Sequence, residues 1–295
     1  MDIPADSTPF TVFVARPSTD AYVRSFEPSN QPRKDEIDPV FLDAMTVRHK
    51  VFILEQKVPL ECEMDEDDPR SCHWVAHMSD GGDNTSAMSQ QAVGCLRVVP
   101  YPQSPHPIPG AAYTIIDGVN ELKGRWVRKS EAAKNGDVAS KIPLPLPTST
   151  TPQSELEFVP VSADDSLASA TDGAGAGAVA DRATSLHDGK EPYIKLGRIA
   201  VLSHLRGFRL GRFLVQTALD WIKANPTFFD EHDPEAAAAT AETKFNGLVC
   251  VHAQVHALGF YTRLGFAVDE GMGTWWEEGI PHVGMFLRLD MNKKE

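Results

Sequence analysis

A turn rich in glycine and arginine, at residues 206–211, has the residue types and spacing that most directly indicate chemistry. It follows an apolar stretch and precedes an amphipathic pattern, which predicts a strand that turns into a helix. Gly207 and Gly211 allow the backbone to approach a ligand, and the free N–H groups of a first helical turn attract anions. Arg206, Arg209 and Arg212 add charged donors. The segment therefore predicts a pyrophosphate site, with a basic turn and purely structural glycines as the alternative.

Two nucleotide-binding motifs are excluded at this turn. No Gly-Lys-Ser/Thr follows the glycines, which excludes a P-loop. The G-x-G-x-x-G spacing of a dinucleotide-binding unit is also absent. The anion site is therefore of another kind.

Acidic and sulfur-containing side chains offer further candidates. The acidic segment, residues 61–68, has six carboxylates in eight positions, which favours a solvated turn or, as the alternative, a site that attracts a cationic amine. Cys62, Cys72 and His73 lack a fourth ligand at zinc spacing, so no metal site is predicted. Cys95 and Cys250 lie in apolar strand patterns, where buried thiols are ordinary, and a catalytic Cys–His pair is not predicted.

The overall charge limits the classes of partner. The chain has 295 residues, 28 Lys plus Arg and 41 Asp plus Glu, and a formal net charge of −13. Binding to nucleic acid or to anionic lipid requires clustered positive charge, so neither partner is expected. No stretch has the pattern of an export signal or a membrane span. We expect a cytoplasmic protein with reduced cysteines, and a nuclear location is not excluded.

Composition divides the chain into three parts. Residues 101–192 hold 10 of the 22 prolines but only 4 of the 24 aromatic residues. Such a segment has too little apolar bulk to offset the entropy of ordering the backbone, so we predict a mostly disordered, low-complexity insertion, with local structure around residues 113–126 left open as an exception. Residues 1–100 and 193–295 are the two halves of one domain interrupted by it.

The elements that must position the turn follow from hydrophobic periodicity. A helix is predicted over residues 38–52, with Asp38 as N-cap and Pro39 in the first turn. A second helix over 210–223 places Leu210, Leu214, Ala218 and Ile222 on one face. Further helices are predicted at 233–244 and 255–264, and strands at 10–14, 73–77, 93–99, 193–201, 247–252, 266–268 and 282–289.

At two places the chain resembles the GNAT superfamily of acetyl-CoA-dependent N-acetyltransferases. Residues 206–211 match its coenzyme A loop, except that Arg209 replaces a glycine, and residues 253–266 are similar to its last helix. A closer resemblance, to the ElaA-like branch, rests on residues 51–56, Asp65, Asp68, 253–254 and 278–282. It implies an α/β (α+β) fold in which a mixed central sheet is flanked by helices and its fourth and fifth strands splay apart.

The same resemblance implies where acetyl-CoA binds. The fourth strand pairs with the pantetheine arm, the loop holds the pyrophosphate, and Gln254 stands where many members have an Asn that helps to hold the pantetheine. The cofactor-binding residues implied are Ile199, Ala200, Val201, Arg206, Gly207, Phe208, Arg209, Leu210, Gly211, Arg212 and Gln254.

The resemblance also implies Tyr261 as the general acid that protonates the leaving thiolate, with packing on the core as the alternative. The fourth strand has no Asp or Glu, so the general base must lie elsewhere. Glu55, His252 and His282 are the candidates, with a relay through water as an alternative. The candidates for contact with the acceptor are Trp74, Glu278 and His282.

The function that these expectations favour is acetyl transfer to a primary amine, by direct attack in a ternary complex. The acceptor is expected to be a small molecule, because the Trp275–Trp276 pair suggests a covered site. A non-catalytic acyl-CoA-binding regulatory module and a protein or peptide acetyltransferase are the rivals. The identity of the amine and the oligomeric state are left open.

Overall fold

The computed structural model describes residues 9–79, 90–128, 156–160, 181–229 and 244–291. Within these ranges no helix is long and apolar enough to cross a membrane. The helices are α1 (Pro39–Arg48), α2 (Leu210–Ala224) and α3 (Leu258–Thr262), and α1 continues as a π-helix over His49–Glu55. The strands are β1 (Phe10–Ala15), β2 (Cys72–Ser79), β3 (Gln90–Val99), β4 (Ala111–Ile116), β5 (Val119–Arg128), β6 (Leu156–Pro160), β7 (Ile194–Val201), β8 (Leu248–Gln254), β9 (Ala267–Val268), β10 (Thr274–Glu277) and β11 (Ile280–Arg288).

All of these strands belong to one mixed sheet. Its order is β1-β2-β3-β7-β8-β11-β10-β4-β5-β6, and β9 pairs with β11. β7 runs parallel to β8 and β10 runs parallel to β4, whereas the other pairs are antiparallel. The expected fold class, a mixed central sheet with flanking helices, is confirmed.

The helices lie on both faces of the sheet. Successive side chains of a strand point to opposite faces. On β2, His73 contacts Phe41 of α1, whereas its neighbour Trp74 contacts Trp221 of α2. α1 and α2 therefore cover opposite faces. The four apolar positions predicted for the buried face of α2 are all at most 5% exposed.

α1 begins at the predicted cap. The Asp38 carboxylate accepts hydrogen bonds from the backbone N–H groups of Val40 (2.8 Å) and Phe41 (3.2 Å), and Pro39 occupies the first turn. These contacts satisfy donors that no helical carbonyl can reach.

Replacing Asp38 with Ala is expected to lower the free energy of unfolding by about 1 kcal/mol. The expected loss comes from two N–H groups left without their acceptor. Urea unfolding measures it, and Asp38→Asn, which keeps an oxygen acceptor, is the matched control. Equal stability of the Ala variant and the wild type would show that water replaces the cap at no cost.

The strands expected to splay do separate. β7 and β8 pair at Ile194–Val249, Lys195–Cys250 and Leu196–Val251, and the pairing then ends although both strands continue. Just beyond this point, Arg198 has a φ of 50° and the register of β7 on β3 shifts. An irregularity of this kind bends a strand away from its neighbour. The splay therefore opens a gap inside the sheet.

The described part of residues 101–192 is more ordered than expected. It contains β4, β5 and β6, and β4 extends the sheet beside β10. Because these three strands precede them in the chain, the predicted fourth and fifth strands are numbered β7 and β8 here. Apolar residues of β4 and β5 pack within the sheet, and the average composition of residues 101–192 does not reveal this. The rest of the segment, and residues 233–243 of the predicted helix at 233–244, lie outside the described residues.

The β4–β5 hairpin has a tight turn at Asp117 and Gly118, whose φ values are 51° and 89°. Two consecutive left-handed residues are typical of a hairpin turn, and Asp-Gly is among its preferred sequences. This dipeptide was the signal in the sequence from which the hairpin could have been predicted.

Candidate active site

A cavity of about 1070 Å³ opens where β7 and β8 splay. Its lining combines predicted cofactor residues with predicted catalytic residues. From the coenzyme A prediction it includes Ile199, Ala200, Val201, Arg206 and Gln254, and from the catalytic and acceptor predictions Tyr261, His252, Glu278 and His282.

The predicted pyrophosphate turn starts at the edge of this cavity and leads into α2. Gly207 has a φ of 87° and Arg209, the N-cap of α2, has a φ of 64°. Arg209 stands where the family pattern has a glycine, and it adopts the left-handed backbone that glycine takes most easily. The substitution therefore leaves the turn geometry in place.

The side chains of the turn are mostly exposed. Gly207, Phe208, Arg209 and Arg212 face solvent and do not line the cavity. Leu210 is 5% exposed and belongs to the core, so only its backbone is free to meet a ligand. The next residue, Gly211, does not line the cavity and packs beside the ring of Phe260.

Glu55, a predicted base, lies outside the cavity lining. Its carboxylate accepts a hydrogen bond from Arg206 at 2.6 Å, and Arg206 also donates to the backbone oxygen of Val201 at 2.9 Å. Glu55 therefore holds the first arginine of the turn against the end of β7. The structure places Glu55 as a support of the turn, outside the cavity.

Tyr261 lies at the cavity on α3 and is 8% exposed. Its ring packs against Phe260 (5.0 Å between centroids) and Phe266 (5.8 Å). Burial raises the pKa of the Tyr261 hydroxyl above its ordinary value, so the group keeps its proton at neutral pH. A protonated hydroxyl beside the cavity is able to donate.

His252, His282 and Glu277 form a polar cluster in the cavity wall. The Glu277 carboxylate lies 3.4 Å from Nδ1 of His252 and 4.0 Å from Nε2 of His282, and it accepts a hydrogen bond from Nε1 of Trp275 at 2.7 Å. Burial disfavours its charged form, but the two histidines and Trp275 hold the pKa of Glu277 well below its usual range.

The sequence analysis did not single out Glu277. Strand alternation was the available signal, because Trp275 and Glu277 are two residues apart on β10 and share a face. Trp275 is fully buried against His252 (4.8 Å between centroids) and does not line the cavity, so it packs behind the wall and does not cover the site.

The cover is the β4–β5 hairpin. Oε1 of Glu278 accepts hydrogen bonds from Oγ1 of Thr114 and from the backbone N–H of Ile115, both at 2.7 Å. The Cys62 thiol, close to Glu278, donates to the oxygen of Ile115 at 3.1 Å, and at the hairpin turn the Glu66 N–H donates to the oxygen of Gly118 at 3.2 Å. Glu278 therefore anchors the hairpin beside the cavity, and the predicted acceptor contact is also a structural one.

Two other predicted site residues have different surroundings. Trp74 is 2% exposed, packs against Phe13 and Trp221, and does not line the cavity, so it is removed from the predicted acceptor site. Gln254 does line it, and its side-chain amide exchanges two hydrogen bonds with Gln56 of 3.1 and 3.3 Å. That pair joins β8 to the end of the π-helix.

The acidic segment is not the solvated turn that its sequence favours. Arg48, 1% exposed, donates to Glu63 at 2.5 Å and to Asp68 at 2.7 Å, and Arg97 bridges Asp65 and Asp68. Burial disfavours the charged form of Asp68, but the two arginines outweigh it and hold the pKa of its carboxyl well below the usual range. Four of its six carboxylates, Glu63, Asp65, Asp67 and Asp68, therefore belong to a largely buried ion-pair network, whereas Glu61 and Glu66 are exposed.

One group in the described ranges has the composition of a metal site: His106, Asp181 and His187. Nε2 of His106 lies 2.8 Å from Nδ1 of His187, and Nε2 of His187 lies 2.8 Å from the oxygen of Glu191. These contacts form a chain of hydrogen bonds. Asp181 lies 3.3 Å from Nδ1 of His106, and one ligand atom of each of the three groups lies within 4.8 Å of the other two.

The four cysteines are free and buried. Burial raises the pKa of Cys72 and of Cys95 to about 12, which disfavours the thiolate that nucleophilic catalysis requires.

Among the comparisons with known proteins, only the comparison with solved structures finds similar chains. No family model and no curated protein matches the chain. A presumed N-acetyltransferase from Lactobacillus plantarum is 14% identical, with 96% of this chain and 99% of that chain covered and a TM-score of 0.42. Escherichia coli ElaA is 15% identical, with 95% and 99% covered and a TM-score of 0.39. An acyl-CoA N-acyltransferase from Pseudomonas aeruginosa is 16% identical, with 83% and 88% covered and a TM-score of 0.35.

Likenesses at this distance do not assign an activity. The chain is similar, remotely, to solved N-acetyltransferases of the GNAT type, ElaA among them.

Proposed function

We propose that this protein transfers an acyl group, acetyl in the simplest case, from acyl-CoA to the primary amine of a small molecule. The observation that carries the proposal is the gap between β7 and β8, which contains Tyr261 and His252 and ends at the turn of residues 206–211. The backbone of Ile199, Ala200 and Val201 is free of β8 there, so it is available to pair with a pantetheine arm.

The chemistry needs a held thioester, a neutral amine, a stabilised oxyanion and a protonated leaving group. We assign the pyrophosphate to the first turn of α2 and the proton for the thiolate to Tyr261. Direct attack in a ternary complex fits the cavity, which is large enough to hold both substrates at once. We assign no covalent route through a cysteine: of the four thiols only that of Cys62 belongs to a residue lining the cavity, it donates to the oxygen of Ile115, and burial raises its pKa to about 11.

The hairpin favours a small acceptor over a protein. It lines the cavity and is held by hydrogen bonds to Glu278 and to the backbone of Glu66, so it restricts the space beside the reacting groups. A panel of amines, amino sugars and peptides, assayed for coenzyme A release, tests this. Release with peptides alone would favour the protein acetyltransferase, and binding of acetyl-CoA with no release would favour the non-catalytic module.

Gly207→Pro is expected to weaken acetyl-CoA binding by about tenfold or more, because proline cannot adopt a positive φ and the N–H groups of the turn would be displaced. Calorimetry measures the affinity. Arg209→Gly is the matched control, since glycine accepts the left-handed backbone at that position and only one cation is lost.

The ligand supplies a second control. S-acetylpantetheine lacks the pyrophosphate, so its affinity should be the same for the wild type and for Gly207→Pro. If the variant binds acetyl-CoA normally, the turn is structural and the pyrophosphate lies elsewhere.

A further inference from the structure

The two ring nitrogens of His252 differ: Nδ1 lies beside a carboxylate, and Nε2 has no hydrogen-bond partner among the described residues. Nδ1 faces the carboxylate of Glu277 at 3.4 Å, whereas Nε2 is buried and has no hydrogen-bond partner among the described residues. A carboxylate accepts and does not donate, so the hydrogen of a neutral imidazole belongs on Nδ1. Nε2 then carries a free lone pair.

The position of this lone pair suits a substrate. His252 follows Val251, the last residue of β8 that pairs with β7, so it stands at the mouth of the splay. It lines the cavity on the same strand face as Gln254. A buried acceptor without a partner costs free energy, and an N–H of a bound ligand would remove that cost.

We propose that His252 takes the proton of the attacking amine and that Glu277 is its positioning residue, fixing the tautomer and the ring orientation. This inference rests on the proposed function. The amine nitrogen bonds to the thioester carbon, the carbon–sulfur bond breaks, and the amine proton passes to Nε2 of His252. The sulfur leaves with its electron pair and takes a proton from the hydroxyl of Tyr261. Solvent then returns a proton to Tyr261, and the imidazolium of His252 releases its proton to solvent.

Burial and side chains on four neighbouring elements set the pKa of His252. Burial lowers the pKa of its ring, and Glu277 on β10 opposes this, whereas Lys195 on β7 and His282 on β11 lower it further. His106, on the segment before β4, also interacts with it. The free base is the form present at neutral pH, and the carboxylate of Glu277 stabilises the imidazolium formed during the reaction.

Glu277→Gln tests the positioning role. The expected result is a fall of kcat/KM of about 10- to 100-fold with acetyl-CoA affinity unchanged, because the amide keeps an oxygen but loses the charge that stabilises the imidazolium. The same loss lowers the pKa of His252, so the acidic limb of the pH–rate profile should move to lower pH. Glu278→Gln, which removes the neighbouring carboxylate, should leave the midpoint of that limb in place.

His252→Ala tests the base itself. Turnover should fall about 10²–10⁴-fold, the acidic limb should disappear, and added imidazole should restore part of the rate. A direct titration of the His252 ring by NMR, in wild type and in Glu277→Gln, needs no turnover and should show the same shift to lower pH.

The outcomes separate the two proposals. The inference would be overturned if the pH–rate profile of His252→Ala kept its acidic limb, or if the limb of Glu277→Gln did not shift. Either result would leave the proposed acyl transfer unaffected. A wild-type protein that binds acetyl-CoA but acylates no amine would overturn the proposed function and this inference together.

Discussion

The Tyr261→Phe variant is expected to lose kcat about 10²–10⁴-fold while its affinity for acetyl-CoA stays close to that of the wild type. The ring that packs against Phe260 and Phe266 is retained, and only the hydroxyl is removed. None of the described residues pairs with that hydroxyl, so its loss breaks no structural hydrogen bond. Its pKa lies above the ordinary value, so the hydroxyl is protonated at neutral pH and is a weak acid, whose proton passes to the sulfur only as the carbon–sulfur bond breaks.

Steady-state kinetics and calorimetry measure the two quantities separately. A fall in kcat without a change in binding is the pattern expected for an interaction that strengthens in the transition state. Phe260→Leu is the matched control, since it alters the neighbouring ring and leaves the hydroxyl. A lower melting temperature with normal kcat in Tyr261→Phe would show that the hydroxyl serves the fold, and solvent would then protonate the thiolate.

Asp68→Ala is expected to lower the free energy of unfolding by about 3–5 kcal/mol. Asp68 is fully buried, accepts a hydrogen bond from Arg48 at 2.7 Å and forms an ion pair with Arg97 at 2.8 Å. Removing it leaves two buried guanidinium groups short of a countercharge, and the interior cannot solvate them. Urea unfolding at neutral pH measures the loss.

The exposed pair of Arg33 and Glu36 is the control for ordinary ion pairs. Its side chains are 50% and 62% exposed, so Glu36→Ala should cost at most about 1 kcal/mol. Equal losses in Glu36→Ala and Asp68→Ala would contradict the account of the network.

The network also predicts how stability depends on pH. The pKa of Asp68 is held below its ordinary value of 3.8, so its contribution is complete above that value and is lost as the pH falls through the folded value. Between about pH 5 and pH 2 the wild type should therefore lose more stability than Asp68→Ala, and the two unfolding curves should converge.

Local patterns predicted the local structure well. The four apolar residues on one face of α2 and the cap at Asp38 follow from rules that act within a few residues, and both are confirmed. The sheet order depends on distant segments, but the splay of β7 and β8 followed from the family resemblance and is confirmed in the pairing.

The expectations that were wrong concern partners that lie far away in the sequence. The acidic segment looks solvated by itself, and its burial depends on Arg48 and Arg97, which come from α1 and β3. The sequence leaves local structure open around residues 113–126, but β4 was not predicted as a strand because the composition of residues 101–192 was averaged over a long stretch. Glu277 was not singled out because its role depends on His252 from another strand. The same cause accounts for Glu55, whose partner Arg206 is 151 residues away.

The pairing of β3 with β7 has a consequence for synthesis of the chain. These neighbours in the middle of the sheet join residues such as Gly94 and Val201, about 100 residues apart. At a translation rate of about 5–20 residues per second, β3 waits about 5–20 s for its partner. Through that interval its apolar edge, with Val93 and Cys95, is available to the wrong strand. Slow codons after the segment for β7 would not shorten this interval. A chaperone that binds an unpaired strand would protect β3 until β7 has been synthesised.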